Sequence, residues 1–305
     1  MSNLTTERNG RPAAALEEHP ADPIVEHVIL VTDGGPAGGG AQRWVAHRAK
    51  MHRLNVEIDM VVELDWLAAE AGGADYGEAA EKMLNEVKEH LQRTAPSARV
   101  QTVVTWGNPR ERFEQASEHA DLIVVGTNRS GRLAGMMAST FPVKLAESAR
   151  CPAVVVPKSW KPGHGAVVVG IQGDDHDAPA LRFAVHEARV LHRELRVVHS
   201  WQIPSMLSPL VMLARSTPDI AHSHDAVLAG VVDSLRSENL DLDIRGVLVE
   251  GDAAGTLARE SVGAELLVVG SHGLTVSDRF FVGSISREIL SRPPCPVAVV
   301  RPRRS

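Results

Sequence analysis

Length, composition and charge predict a two-domain protein of the cytoplasm. The chain has 305 residues, about twice the length of a usual domain, and 44% of them are hydrophobic, which is enough for two packed cores. The formal net charge of -6 argues against nucleic acid as a partner, because phosphate backbones are bound by basic surfaces. No run reaches the roughly 18 to 20 apolar residues that span a bilayer, and no signal-peptide core is found, so no membrane partner is expected.

The predicted elements follow a flexible leader at residues 1–23, which is rich in Ala, Glu, Pro and Asn and lacks a sustained apolar period. Short apolar runs then alternate with longer amphipathic stretches, and such runs predict buried strands. The predicted strands are 27–32, 56–62, 99–104, 121–126 and 152–156, and then 166–171, 195–200, 244–249, 265–270 and 296–300.

The chain contains an internal repeat. Three segments recur in the same order, and the pairs are 41–47 with 180–186, 121–126 with 265–270, and 151–152 with 295–296. The first pair lies 139 positions apart and the other two lie 144 apart, so an insertion of five residues is predicted. Pro204, Pro209 and Pro218 place this insertion in a long connection between about 202 and 240, which also contains His222 and His224.

Each repeat reads as five strands alternating with helices, which predicts a parallel sheet covered on both faces. The fold class is therefore α/β, with two tandem, open, twisted, five-stranded parallel-sheet sandwiches. The predicted domains are residues 24–158 and 166–305. They are joined by a linker at 159–165, where Pro162 and Gly163 favour a boundary.

The turns after the fourth strand of each repeat are the candidate ligand sites, because open parallel sheets bind ligands beyond the carboxyl ends of their strands. In the second repeat this turn reads Gly270-Ser271-His272-Gly273, and nine residues later Gly283-Ser284-Ile285 opens a predicted helix. Glycines let a ligand approach the backbone, and a helix N-terminus attracts anions. The pattern indicates a phosphate site.

These residues resemble the G-x2-G-x9-G-[S/T] nucleotide loop of the universal stress proteins. The resemblance covers nearly everything after residue 24 and includes the Asp33-Gly34 turn, the Gly107-Asn108-Pro109 turn and the final Cys-Pro strands. It implies the adenine nucleotide alpha hydrolase-like fold of that family. Many members bind ATP with a divalent metal on the phosphates, so the resemblance implies ATP as the cofactor, with Mg or Mn held by phosphate rather than by protein side chains.

The resemblance also assigns roles in the second domain. Gly270, Gly273, Gly283 and Ser284 would hold the ribose and phosphates, and the backbone near Ser200 would meet adenine. The complete predicted nucleotide-binding set is Gln172, Gly173, Ser200, Gly270, Ser271, His272, Gly273, Gly283, Ser284 and Ile285.

The first domain carries a degenerate version of this site. Asp33 keeps the acidic residue that the family has after strand one, where the second domain has Gln172. Its loop, however, has Arg129 and Ser139 in place of two glycines, and an arginine would strain or fill that position. The degenerate set is Asp33, Val61, Gly126, Arg129, Ser139 and Thr140.

The cysteines, histidines and carboxylates of the sequence show patterns that favour structural over catalytic or metal-binding roles. Cys151 and Cys295 each precede a proline and an apolar strand, so burial is expected. The 14 histidines form no compact ligand set, although a metal at His222 and His224 beside Asp225 stays open. No nucleophile with an adjacent base and no catalytic pair of carboxylates is evident, so an enzyme is not predicted beyond slow ATP hydrolysis.

The resemblance leads to a functional hypothesis. The chain is expected to be a tandem universal stress protein acting as a nucleotide-responsive regulator with an unknown regulatory protein partner. The alternatives are a nucleotide-free interaction scaffold with decayed sites and a weak ATPase. The last strands, 153–156 and 297–300, are expected to pair the two domains as an internal pseudo-dimer, as they do between subunits in the family. A further dimer of whole chains stays open.

Overall fold

Ten strands and eight α-helices form the part of the chain that this computed structural model describes, namely residues 25–33, 35, 38–62, 73–127, 141–202, 217–271 and 283–302. The first repeat contains β1 (Val25–Val31), α1 (Gly38–Arg48), β2 (Arg53–Val62), α2 (Gly73–Thr94), β3 (Arg99–Trp106), α3 (Pro109–Ala116), β4 (Leu122–Thr127), α4 (Phe141–Ser148) and β5 (Ala153–Pro157). The second contains β6 (Val167–Ile171), α5 (Ala178–Leu191), β7 (Leu195–Trp201), α6 (Thr217–Glu238), β8 (Ile244–Glu250), α7 (Ala253–Glu260), β9 (Leu266–Gly270), α8 (Ser284–Ser291) and β10 (Val297–Val300). The predicted leader lies outside the described residues.

The ten strands form one continuous sheet in the order β3-β2-β1-β4-β5-β10-β9-β6-β7-β8. All pairs within each repeat are parallel, which confirms the predicted α/β class. The two five-stranded halves meet where β5 and β10 pair antiparallel, with Val154 opposite Ala298. The last strands of the repeats are therefore neighbours, as the sequence analysis expected. Because the strands of the two halves run in opposite directions, the carboxyl ends of the strands in one half lie beside the amino ends of the strands in the other.

The hydrophobic core crosses the junction between the repeats without a break. Side chains of β5 and β10 alternate between the two faces of the sheet, so Val154 and Ala298 join one buried cluster while Val155 and Val297 join the other. All four of these residues are fully buried. The shared core makes the two domains a single packed unit at this junction.

The segment between β5 and β6 packs against both domains. Trp160 is buried, and its carbonyl oxygen accepts a hydrogen bond from Arg43 Nε at 3.1 Å. Further along, the amide N–H of Gly163 donates to Glu265 Oε2 at 3.1 Å. The predicted linker is thus held at both ends by side chains of the domains that it connects.

Helix α6 corrects one prediction. His222 and His224 were assigned to an inserted loop, but both lie on α6, which has 22 residues like its counterpart α2. Pro218 misled the prediction: it is the second residue of the helix, and proline is tolerated in the first turn because the N–H it lacks has no helical partner there. The five extra residues lie between β7 and α6, within the stretch 203–216 that is not described.

A buried ion pair joins the two repeats. The Arg48 guanidinium donates to both carboxylate oxygens of Glu187, at 2.7 and 2.8 Å, and also to Glu26. Arg48 is 2% exposed and Glu187 is 0% exposed. Burial alone would lower the pKa of Arg48, but Glu187 and Glu26 outweigh it and raise the pKa above its ordinary value. Arg48 is therefore a permanent charge inside the junction.

Arg48 and Glu187 are equivalent positions of the two repeats, 139 residues apart. A position that meets its own counterpart in this way lies near the pseudo-two-fold axis that relates the domains. Two copies of the second domain paired in the same manner would bring two Glu187 carboxylates together in the interior without an arginine. The pair therefore favours the first domain as the partner of the second.

We expect Glu187→Leu to lower the free energy of unfolding by about 3 kcal/mol, because the variant leaves Arg48 buried without its bidentate partner. The double variant R48M/E187L removes both charges and should recover part of that loss. Urea unfolding followed by circular dichroism and tryptophan fluorescence measures both effects. Arg93→Ala, which breaks an exposed pair with Glu89 within α2, is the control and should change stability little. A loss for E187L no larger than that control would contradict the assignment.

A buried acidic side chain lies in β2 of the first domain. Asp59 is 5% exposed, and its Oδ1 has no hydrogen-bond partner among the described residues. Glu57, two residues earlier, points to the same face and shares a hydrogen bond with the other carboxyl oxygen. Burial, the negative charge of Glu57 and this hydrogen bond raise the pKa of Asp59 to about 8. The carboxyl is protonated at neutral pH.

Asp59 should make the protein less stable as the pH rises. Between the ordinary pKa of 3.8 and about 8, the folded state keeps a proton that the unfolded state releases, so the free energy of unfolding falls across this window. We expect Asp59→Asn to remove that decline and to be more stable than the wild type at pH 8, by on the order of a few kcal/mol. Urea titrations from pH 4 to 8 test this, with the exposed Asp225→Asn as control. Parallel pH profiles for wild type and D59N would refute it.

Candidate functional site

The candidate site lies at the carboxyl edge of the second half-sheet, where β9, β6 and β7 are neighbours. Gln172 and Gly173 follow β6, Ser200 lies near the end of β7, and Gly270 ends β9. Strand order reverses between β6 and β9, which is where open α/β sheets bind ligands. The structure thus brings the described members of the predicted set to one edge. The members that lie outside the described residues are His272 and Gly273.

Helix α8 begins at this edge with its first turn uncapped. Gly283 is the N-cap residue and provides no side-chain hydrogen bond. The amide N–H groups of Ser284 and Ile285 have no partner among the described residues. By contrast, Asn108 caps α3 through a 3.0 Å bond to the Arg110 amide, and α7 is capped in the same way by its own acidic residue. Within the described residues, nothing caps the positive end of α8, which attracts anions.

The strand before this helix is tied to it and leaves space beside it. The Ser286 hydroxyl donates to the Gly270 carbonyl oxygen at 2.9 Å, and the Ser271 amide donates to Val300 at 3.0 Å. No atom of the described residues lies within 4 Å of the point where a Cβ on Gly270 would be. The end of β9 and the start of α8 therefore form a fixed frame around open space.

The turn after β6 is filled by the protein's own carboxylate. The buried Asp177 accepts hydrogen bonds from the amides of Gln172, Gly173 and Asp174, the shortest being 2.6 Å from Gly173. These amides are thus occupied, and the exposed Gln172 side chain stays available to a ligand. Sequence reasoning missed Asp177, although Asp174 and Asp177 form a capping box that its D-x-x-D spacing before a helix could have revealed.

Three aromatic side chains gather at the end of β7. His199 and Trp201 flank Ser200 on the strand and are 4% and 7% exposed. His224 of α6 lies 2.9 Å from His199, measured from Nδ1 to Nε2, and stacks on Trp201 with ring centroids 5.3 Å apart. The sequence analysis did not identify this cluster, because His224 lies on a helix 23 or more positions away from the two members on the strand.

The degenerate site in the first domain is arranged differently. The exposed Asp33 accepts a hydrogen bond from the Gly35 amide at 2.8 Å, so its carboxylate closes its own turn. Val61 is half-buried in β2 and packs against the core, and Gly126 lies in β4 opposite Val156. The predicted members outside the described residues are Arg129, Ser139 and Thr140.

The two cysteines are buried in the hydrophobic core. Cys151 and Cys295 are both buried as predicted, and burial raises the pKa of Cys295 to about 12. Within the described ranges, no group of three or more His, Cys, Asp or Glu side chains is placed to hold a metal ion. None of the described helices combines the length and the apolar character needed to cross a membrane.

Comparisons with known proteins agree with this architecture. The family model described as "Universal stress protein family" matches residues 25–157 and 164–301. A universal stress protein of Mycobacterium tuberculosis is 26% identical over 295 residues, which cover 92% of this chain and 98% of the relative, and another from that organism is 24% identical over 299 residues, which cover 90% and 94%. A crystal structure of a universal stress protein from Archaeoglobus fulgidus has the same fold, with a TM-score of 0.69 and 19% identity over 91% of this chain and 98% of that one. Since the family model matches both repeats, this chain belongs to the universal stress protein family and carries two of its domains in tandem.

Proposed function

We propose that this protein is a nucleotide-binding regulator of the stress response and that its second domain binds an adenine nucleotide, with ATP as the ligand. The observation that carries the proposal is the uncapped start of α8 at Gly283 and Ser284. Its amides and dipole favour an anion, and the G-x2-G-x9-G-S spacing from Gly270 places this helix end beside the end of β9. A phosphate group satisfies both features.

The geometry also supports an orientation for the nucleotide. The phosphates would meet Gly283, Ser284 and Ile285, and the ribose would use the space beside Gly270. From there the nucleoside would cross the end of β6 and reach the end of β7 at Ser200. Because Asp177 occupies the amides of the β6 turn, Gln172 would contribute through its side-chain amide.

A metal bound with ATP would be held by the phosphates. The described residues offer no group of three or more His, Cys, Asp or Glu side chains for a metal ion. Mg or Mn would therefore arrive with the nucleotide and neutralise part of its charge. We propose no protein side chain as a metal ligand.

The first domain is a poorer candidate for this ligand. At its carboxyl edge, the Asp33 carboxylate already accepts a hydrogen bond from the Gly35 amide and closes its own turn. Arg129 also replaces a loop glycine there. We therefore assign binding to the second domain, so that occupancy of that site would alter the surface offered to a regulatory protein in the cytoplasm.

One observation favours a second candidate function, a nucleotide-free interaction scaffold. In the second domain, Asp177 already satisfies the amides after β6, which removes donors that a ligand could use. The scaffold role predicts that no adenine nucleotide copurifies with the protein and that none binds it in calorimetry.

We expect Ser284→Asp to abolish nucleotide binding without harming the fold. A carboxylate in the first turn of α8 suits the helix dipole, but it repels phosphate from the same amides. The dissociation constant for ATP, measured by calorimetry with Mg present, should rise at least tenfold. Thr140→Asp places the same charge at the equivalent position of the first domain and serves as the matched control, with unchanged affinity.

A loop substitution provides an independent check of the same site. Gly273→Trp puts a bulky side chain where the predicted loop needs close approach of the ligand, and it should remove nucleotide released by heating the purified protein. If S284D and G273W both bind ATP as the wild type does, the assignment to the second domain is wrong. If the wild type itself neither copurifies with nor binds an adenine nucleotide, the scaffold function replaces the proposal.

A further inference from the structure

Two histidines at the end of β7 form a hydrogen-bonded relay that starts on the backbone. His199 Nδ1 lies 3.2 Å from the carbonyl oxygen of Ile171, the last residue of β6. His199 Nε2 then lies 2.9 Å from Nδ1 of His224 on α6. The relay therefore runs from the end of one strand, through the next strand, to a helix that covers both.

The chemistry of the partners fixes the protons in this relay. A carbonyl oxygen only accepts, so His199 Nδ1 must carry the hydrogen and donate it to Ile171. In the neutral ring His199 Nε2 is then the acceptor, and His224 Nδ1 must donate to it. The remaining nitrogen, His224 Nε2, carries a lone pair. No described residue donates a hydrogen bond to it.

The environment of His224 favours its neutral form and contacts its ring. Burial and the neighbouring His199 lower the pKa of His224, so the lone pair persists at neutral pH. Its ring stacks on Trp201 with an interplanar angle of 17°. One turn further on, Val227 packs so closely on the β6 turn that a Cβ at Gly173 would lie 2.2 Å from it. His224 is thus a hydrogen-bond acceptor at the carboxyl edge, held in place by its bond to His199 and its stack on Trp201.

The relay is not a requirement of the fold. In the first domain, the positions equivalent to His199 and His224 are Met60 and Ala80, and both are buried in an apolar core. Equivalent leucines of the two helices, Leu84 and Leu228, are likewise buried, which verifies the alignment of α2 with α6. The same packing is therefore achieved without polar groups, and the histidines in the second domain need another explanation.

We infer that His224 Nε2 selects the base of the nucleotide by accepting a hydrogen bond from the exocyclic amino group of adenine. The inference rests on the proposed function. Neighbouring strands lie about 4.8 Å apart, so a nucleotide with its phosphates at the end of β9 crosses β6 and brings its base to β7 within about 10 Å. Hypoxanthine and guanine have a carbonyl oxygen where adenine has the amino group, and that oxygen would face the lone pair of His224.

The test compares ATP with ITP, which differs at this position of the base. Calorimetry on the full-length protein at pH 8 should show at least tenfold tighter binding of ATP. His224→Phe keeps the stacking on Trp201 but removes the acceptor, together with the hydrogen bond to His199, and it should reduce the preference to less than about threefold, mainly by weakening ATP binding. His222→Phe, an exposed position on the same helix, is the matched control and should keep the wild-type preference.

The outcomes separate this inference from the function on which it rests. Equal affinity of the wild type for ATP and ITP would overturn the role of His224 while leaving nucleotide binding intact. An unchanged preference in H224F would overturn it as well. If the wild type binds neither nucleotide, both the proposed function and the base selection fail. Nitrogen-15 spectra of the histidine rings give a readout that does not depend on a variant, since ATP should shift His224 Nε2 and ITP should not.

Discussion

The antiparallel pairing of β5 with β10 is the constraint on which the rest of this molecule depends. Each five-stranded sheet covers one open edge strand of the other. Both buried hydrophobic clusters continue across this junction. The Arg48–Glu187 pair lies at the same junction and adds a requirement for complementary charge. Hydrophobic burial supplies the stability there, while the ion pair decides which domain is accepted as the partner.

This pairing separates the two candidate sites. The strands of the two half-sheets run in opposite directions. The carboxyl ends near Asp33 in the first domain and near Ser284 in the second therefore lie at opposite ends of the strands. Each domain can then diverge without disturbing the other. The first has the buried Asp59 beside Glu57, while the second has the relay of His199 and His224. One duplicated fold thus carries two electrostatically different edges.

Much of the fold and part of the site could be predicted from the sequence. Buried parallel strands are continuous Val and Ile runs, so all ten strands were located within a few residues. The glycine spacing likewise placed Gly270 at the end of β9 and Ser284 at the start of α8. The assignment of His224 to a loop was wrong, because proline marks both turns and the first turn of a helix.

The sequence by itself determined the repeat, the strand pattern and the glycine loop, since these depend on residues close together in the chain or on direct similarity between its halves. Only the tertiary structure decided that Arg48 meets Glu187 and that His199 meets His224. Such polar contacts depend on which strands become neighbours and which helix covers them. A local sequence pattern does not show which distant residue becomes the contact partner in the folded protein.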